Sequence, residues 1–171
     1  MHDVLEGTFI ARRYDEVIAR CLEALKFEPN EPFVLWVLGR SYTMKGMHEQ
    51  AVAQFERGLK AVENRGPEST TRLWLLSGLG YAYAAAGRRN EAMKVVDQMH
   101  KSQSRWKVLY TAFVLARQGD KDQAFHMLDE ASRERFPFLW HLRCVPEFDS
   151  LRSDPRYVAL LRRMNLPLEL S

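Results

Sequence analysis

A glycine followed five residues later by an alanine occurs three times in this chain, as Gly46 and Ala51 in GMHEQA, Gly87 and Ala92 in GRRNEA, and Gly119 and Ala124 in GDKDQA. The surroundings recur with it. Seven residues before each glycine stands Gly39, Gly80 or Ala112, and four before it Tyr42, Tyr83 or Leu115. Four residues after each alanine comes Phe55, Val96 or Leu128, and three further on Gly58, Met99 or Ala131. A chain that repeats small and large residues in step builds a series of like units, since one unit alone cannot bury its apolar face and must stack on its neighbour.

The spacing says what each unit is. Leu35, Leu38 and Tyr42, and likewise Leu76, Leu79 and Tyr83, recur at intervals of three and four, which puts them on one stripe of a helix. A glycine after the last turn accepts the positive φ that ends a helix, and a short polar link holding His48, Asn90 or Asp120 starts the next. Each unit is thus a helical hairpin. Gly39 and Gly80 fall inside the first helix, where glycine costs about 1 kcal/mol against alanine, so close approach of the second helix is expected there. Ala51, Ala92 and Ala124 are the expected small surface on the second helix.

These residues resemble the tetratricopeptide repeat, whose pattern W-x2-L-G-x2-Y, then A-x3-F and a proline, runs over about 34 residues. LWVLGRSY and AVAQFERG match it at Leu38, Gly39, Tyr42, Ala51 and Phe55, with Leu35 in place of the tryptophan. LSGLGYAY and AMKVV keep Leu79, Gly80, Tyr83 and Ala92 but carry Val96, and the next unit has Ala112 and Leu115 beside Gly119 and Ala124. RRYDEVIARCLEALKFEPN aligns as a second helix through Val17, Cys21, Ala24 and Pro29, with its first helix mostly missing. Gly46 to Gly87 spans 41 residues, the excess lying in the loop NRGPEST, and Gly87 to Gly119 spans 32. The resemblance implies an all-α superhelix, a solenoid of about three and a half hairpins over residues 1–31, 32–65, 73–104 and 105–136, in a single domain with a C-terminal cap at 137–171.

The cap has its own signals. SDP reads as a helix start with Ser153 or Asp154 as N-cap and Pro155 at the first position, after which Tyr157, Leu160, Leu161 and Met164 share a face. A solenoid needs such an element to cover its last apolar surface. The tail also resembles that of tetratricopeptide arrays in large bacterial signalling proteins, where a winged-helix regulator, protein kinase or nucleotide cyclase precedes the repeats. MHDVLEGTFI is short and poorly patterned, so the chain is expected to be a fragment of a longer protein, the alternative being an atypical first helix that serves as cap.

Function follows from face assignment. In the resembled family the first helices line a concave surface, and counting from each inner small residue puts Phe33, Trp36, Arg40, Trp74, Ser77, Tyr81, Trp106, Leu109, Phe113 and Arg117 on it. Tryptophan and arginine concentrate binding energy, so an aromatic groove with Arg40 and Arg117 suits an extended peptide with apolar and acidic side chains. The tryptophans have a second reading, as packing between hairpins. The family's clamp for a C-terminal carboxylate uses lysine and asparagine where this chain has Trp36, Arg40, Ser77 and Tyr81, so chaperone tails are not the expected ligand.

Other chemistry is missing from the 171 residues. No phosphate loop, GxSxG or HExxH motif occurs. His2, His48, His100, His126 and His141 are scattered, and Cys21 and Cys144 read as small apolar residues. A net charge of +3, with arginines interspersed among acids, argues against nucleic acid, and no apolar run approaches bilayer length. The expectation is a non-catalytic, cytoplasmic protein-interaction module with neither cofactor nor metal, binding a peptide or partner domain. The alternative is a regulatory segment of a larger bacterial signalling protein that contacts its own output domain.

Overall fold

Gly46, Gly87 and Gly119 all sit at positive φ, between 74° and 82°, and each lies between two antiparallel helices. The conformation is the left-handed one that an L side chain resists, which is why glycine recurs at this step. The computed structural model describes residues 2–134, 136 and 139–167. The expected start at Met1, the unit boundary around Arg135 to Phe138 and the last four residues of the expected cap lie outside the described residues, as do the side chains of residues 140 and 141.

The described residues form nine α-helices, two 3-10 helices and no strand. The helices are α1 (His2–Ile10), α2 (Tyr14–Phe27), α3 (Pro32–Met44), α4 (His48–Ala61), α5 (Thr70–Ala85), α6 (Arg89–His100), α7 (Trp106–Gln118), α8 (Lys121–Arg133) and α9 (Pro155–Arg163), with the 3-10 helices at Leu139–Arg143 and Pro146–Leu151. They pair in sequence into four hairpins, α1 with α2 through α7 with α8. The half-unit expected at the N-terminus is therefore a whole one. Leu5, Thr8 and Phe9 give α1 a buried face, obscured in the sequence because Thr8 belongs to it, its hydroxyl satisfied by the Val4 carbonyl at 2.6 Å. The third hairpin also begins earlier than expected, at Thr70, where Ser69 accepts from the Arg72 amide as N-cap.

Two layers result. The first helices touch one another in the order α1, α3, α5, α7, while α2, α4 and α6 each pack against the first helix of the following hairpin. A helix contacted from several sides has to be apolar or small nearly all round. In α5 every residue from Leu75 to Ala82 is buried, including Ser77, Gly78 and Gly80. Its partner α6 buries only Ala92, Val95, Val96 and Met99, and its other face is charged.

The alanines of the repeat are fully buried, yet the room left by the inner glycines is taken by larger side chains. The Phe55 ring lies within 3 Å of where a Cβ would stand at Gly39, and Val114 and Val95 are the nearest groups at Gly80. Of the three polar residues expected to start second helices, only Asp120 caps with its side chain, accepting from the Gln123 amide. His48 is the first residue of α4, and Asn90 lies within the first turn of α6.

The end of the chain carries a further step of the array. Hydrogen bonds join residues 34 apart in Arg40 to Glu6, Ser102 to Glu68, Ser150 to Ala116, Arg156 to Asp122, and Arg163 to Asp129. α9 sits on α8, with Asp154 as its N-cap accepting from the Arg156 amide and Tyr157, Leu160 and Leu161 buried. Tyr157 locks the approach by donating to the Leu142 carbonyl at 2.6 Å. The second 3-10 helix packs on α7 instead, through Phe148, whose ring centroid is 4.7 Å from that of Phe113.

Candidate binding cavity

A half-open cavity of about 350 Å³ lies along α3, α5 and α7, with Phe55 of α4, Val145 and Glu147 also in its lining. Its aromatic lining comes from two runs of neighbouring rings, of which Trp106 and Tyr110 stack and the others are tilted or edge-on. On α3 and α5, Phe33, Trp36 and Trp74 meet pairwise with centroids 5.7–6.3 Å apart. On α7, Trp106, Tyr110 and Phe113 follow one another at 5.7 and 6.0 Å. The one-turn spacing along each helix is what brings the rings into register. Trp36 and Trp74 pack against each other between hairpins and also line the cavity while half-buried.

Ser77, Tyr81 and Leu109 also line the cavity, as does Arg40, so the groove residues expected from sequence converge with one exception. Arg117 is exposed and outside the lining, its guanidinium 5.9 Å from the Tyr81 ring. Ser77 spends its hydroxyl on the Trp74 carbonyl at 3.1 Å. Burial pushes the Tyr81 and Tyr110 hydroxyls well above their ordinary range, so both stay neutral at physiological pH.

Arg40 does not project free into the groove. It is 6% exposed, with its guanidinium 3.9 Å from the Phe9 centroid and 4.2 Å from that of Trp36. Nη1 donates to both carboxylate oxygens of Glu6 at 2.9 Å, and Nε donates to Oε1 of Glu147 at 2.6 Å. Burial works against the charge, but Glu147 and Glu6 outweigh it and hold the guanidinium firmly protonated. An acidic ligand group at Arg40 would meet a cation already matched by two carboxylates.

Glu6, Tyr110 and Glu147 had no signal in the repeat frame. Glu147 is carried in by the second 3-10 helix, which bridges the two ends of the array: Asp149 takes a bidentate pair from Arg12 at 2.7 and 3.0 Å. Although partial burial opposes it, the Arg12 and Arg152 guanidinium groups keep the Asp149 carboxyl below the usual 3.8. A carboxyl depressed in the folded state contributes stability that is present above the unfolded value and disappears as pH falls through the folded one. A carboxyl-detected NMR titration should therefore place Asp149 below 3.8 and move it upward in Arg12→Gln; a wild-type midpoint at or above 3.8 would show that the bridge is open in solution.

Two polar atoms at this site have no hydrogen-bond partner among the described residues. They are Nε1 of Trp36 and Oε2 of Glu147, both buried and both on residues that line the cavity. Such groups carry a desolvation penalty until something meets them.

Elsewhere Asp15, Glu16 and Asp129 form surface ion pairs with Lys45, Arg20 and Arg163. Cys21 is fully buried with its thiol pushed up to about 12 by burial, and Cys144 is half-buried. His2, His100 and His126 are exposed and His48 is half-buried. Among the described residues no group of His, Cys, Asp and Glu is placed to hold a metal ion, and no helix is long and apolar enough to cross a membrane. Compared with known proteins, the chain matches no family model and no curated relative.

Proposed function

We propose that the chain is a tetratricopeptide-type superhelix acting as a non-catalytic interaction module, which takes an extended segment of a partner protein along its inner layer and seats one of its side chains in the aromatic cavity. The observation that carries this reading is the cavity itself, about 350 Å³ between helices of successive hairpins and lined by aromatic rings, two of its lining residues each carrying an unmatched buried polar atom. Concave, mostly apolar sites of that size with a few polar groups are where ligands bind. The step of 34 residues between bonded pairs supports the repeat assignment.

A second reading, a regulatory segment that contacts an output domain of its own protein, draws on the first hairpin, where Val4, Leu22 and Phe27 are exposed, Phe27 at 80%. One experiment separates the two. A displayed peptide library is selected on the chain, and tryptophan fluorescence then compares hits on wild type, Trp74→Ala and Phe27→Ser. Binding in the cavity predicts that Trp74→Ala weakens the hits about tenfold or more, as loss of a buried aromatic anchor does, while Phe27→Ser leaves them unchanged. The opposite pattern favours docking on the first hairpin, and selection of no peptide at all counts against the cavity reading.

A further inference from the structure

Charge and unmatched polarity in the cavity specify which side chain fits. Glu6, Arg40 and Glu147 are the charged residues among those that line it, so one cation faces two carboxylates and a negative charge is left over. Glu147 is 5% exposed, its Oε1 is taken by Arg40, and its Oε2 has no partner among the described residues. The rest of the lining is neutral and largely aromatic. Ring faces attract a cation, as the guanidinium of Arg40 over Phe9 and Trp36 already demonstrates within this molecule.

Building on the proposed function, we infer that the cavity accepts a lysine side chain of the bound peptide, its ammonium donating to Oε2 of Glu147 and a peptide carbonyl accepting from Nε1 of Trp36. A glutamate or aspartate would bring a second unmatched negative charge into a buried site, which is strongly unfavourable. A neutral aliphatic chain would fill the space but leave Oε2 desolvated and unpaired. Arginine fits less well than lysine, because its planar fork is made for both oxygens of a carboxylate and only one is unpaired here. The compact ammonium needs one oxygen, and its methylene stem lies against the rings.

The test uses four capped amino acids on the intact chain, Nα-acetyl N-methylamides of lysine, norleucine, glutamate and arginine, titrated while the Trp36 indole N–H resonance is followed by NMR. Lysine is expected to bind about tenfold more tightly than norleucine, the worth of one hydrogen bond to a charged group, with arginine between them and glutamate weakest. In Glu147→Gln the lysine to norleucine ratio should fall toward one. Norleucine equal to lysine in the wild type overturns the cation assignment and leaves the cavity reading standing, and arginine equal to lysine overturns the choice of an ammonium. If none of the four moves the Trp36 resonance, this inference fails, while the peptide selection still judges the module. The wild-type comparison decides the matter even if Glu147→Gln does not fold.

Discussion

Arg40→Met lowers the free energy of unfolding by about 3–5 kcal/mol, the range expected when one partner of a buried ion pair is removed and the other is left behind. Methionine keeps most of the volume and the contact with Phe9 and Trp36, so little of the loss can be assigned to a hole. What is lost is compensation. Glu147, with 6% of its side chain exposed, and Glu6, with 23%, would face each other across the space that Arg40 now fills. Urea denaturation at pH 7 should show the deficit, and the Arg40→Met, Glu6→Gln, Glu147→Gln triple variant, which removes the uncompensated charges, should recover most of it. A deficit below about 1 kcal/mol at pH 7 would mean that the network is solvated, as exposed pairs of that worth are.

Gly78→Ala is expected to destabilise the chain by about 2 kcal/mol, even though alanine is the better helix former by about 1 kcal/mol. A Cβ at Gly78 would stand 2.6 Å from Cζ of Phe55 and closer still to Cε1. Backbone flanks the ring on both sides: it is fully buried, and a Cβ at Gly39 on its other side would be 2.7 Å from the same atom, so Phe55 of α4 is held between the backbones of α3 and α5. Admitting the methyl group pushes the ring out of this slot, against α3 or toward the cavity that Phe55 and Gly78 border. A double-mutant cycle supplies the check: in a Phe55→Leu background Gly78→Ala should be neutral or stabilising, giving a coupling of more than about 1 kcal/mol. Additivity within a few tenths would show that the ring is not clamped, and Gly78→Ala raising stability in the wild type would say so more directly.

Gly78 illustrates how far the repeat could be read. Gly39 and Gly80 stand at repeating positions and were legible as sites of close approach, whereas Gly78 lies off that frame and was silent. Even at the legible positions the identity of the neighbour was not accessible. Small residues signal that something comes near, while the ring of Phe55 and the methyls of Val114 fill the space through rotamers and helix offsets that no spacing encodes. The first helix failed for the opposite reason. Its face depends on Thr8 satisfying its hydroxyl within its own turn, so a polar residue behaves as an apolar one.

Sequence alone determined the hairpins α3–α4, α5–α6 and α7–α8, the glycines that turn them, a helix start at Ser153 or Asp154 and the aromatic residues found along the cavity, because each of these depends on residues within a few turns of one another. Tertiary structure alone decided that Glu6 and Glu147 would enclose Arg40, a residue 34 positions from the one and 107 from the other. That convergence requires the array to bring its second 3-10 helix back to its first hairpin. That return path is set by packing between elements far apart in sequence, and it placed an arginine readable as an acid-binding group between two carboxylates in the cavity lining.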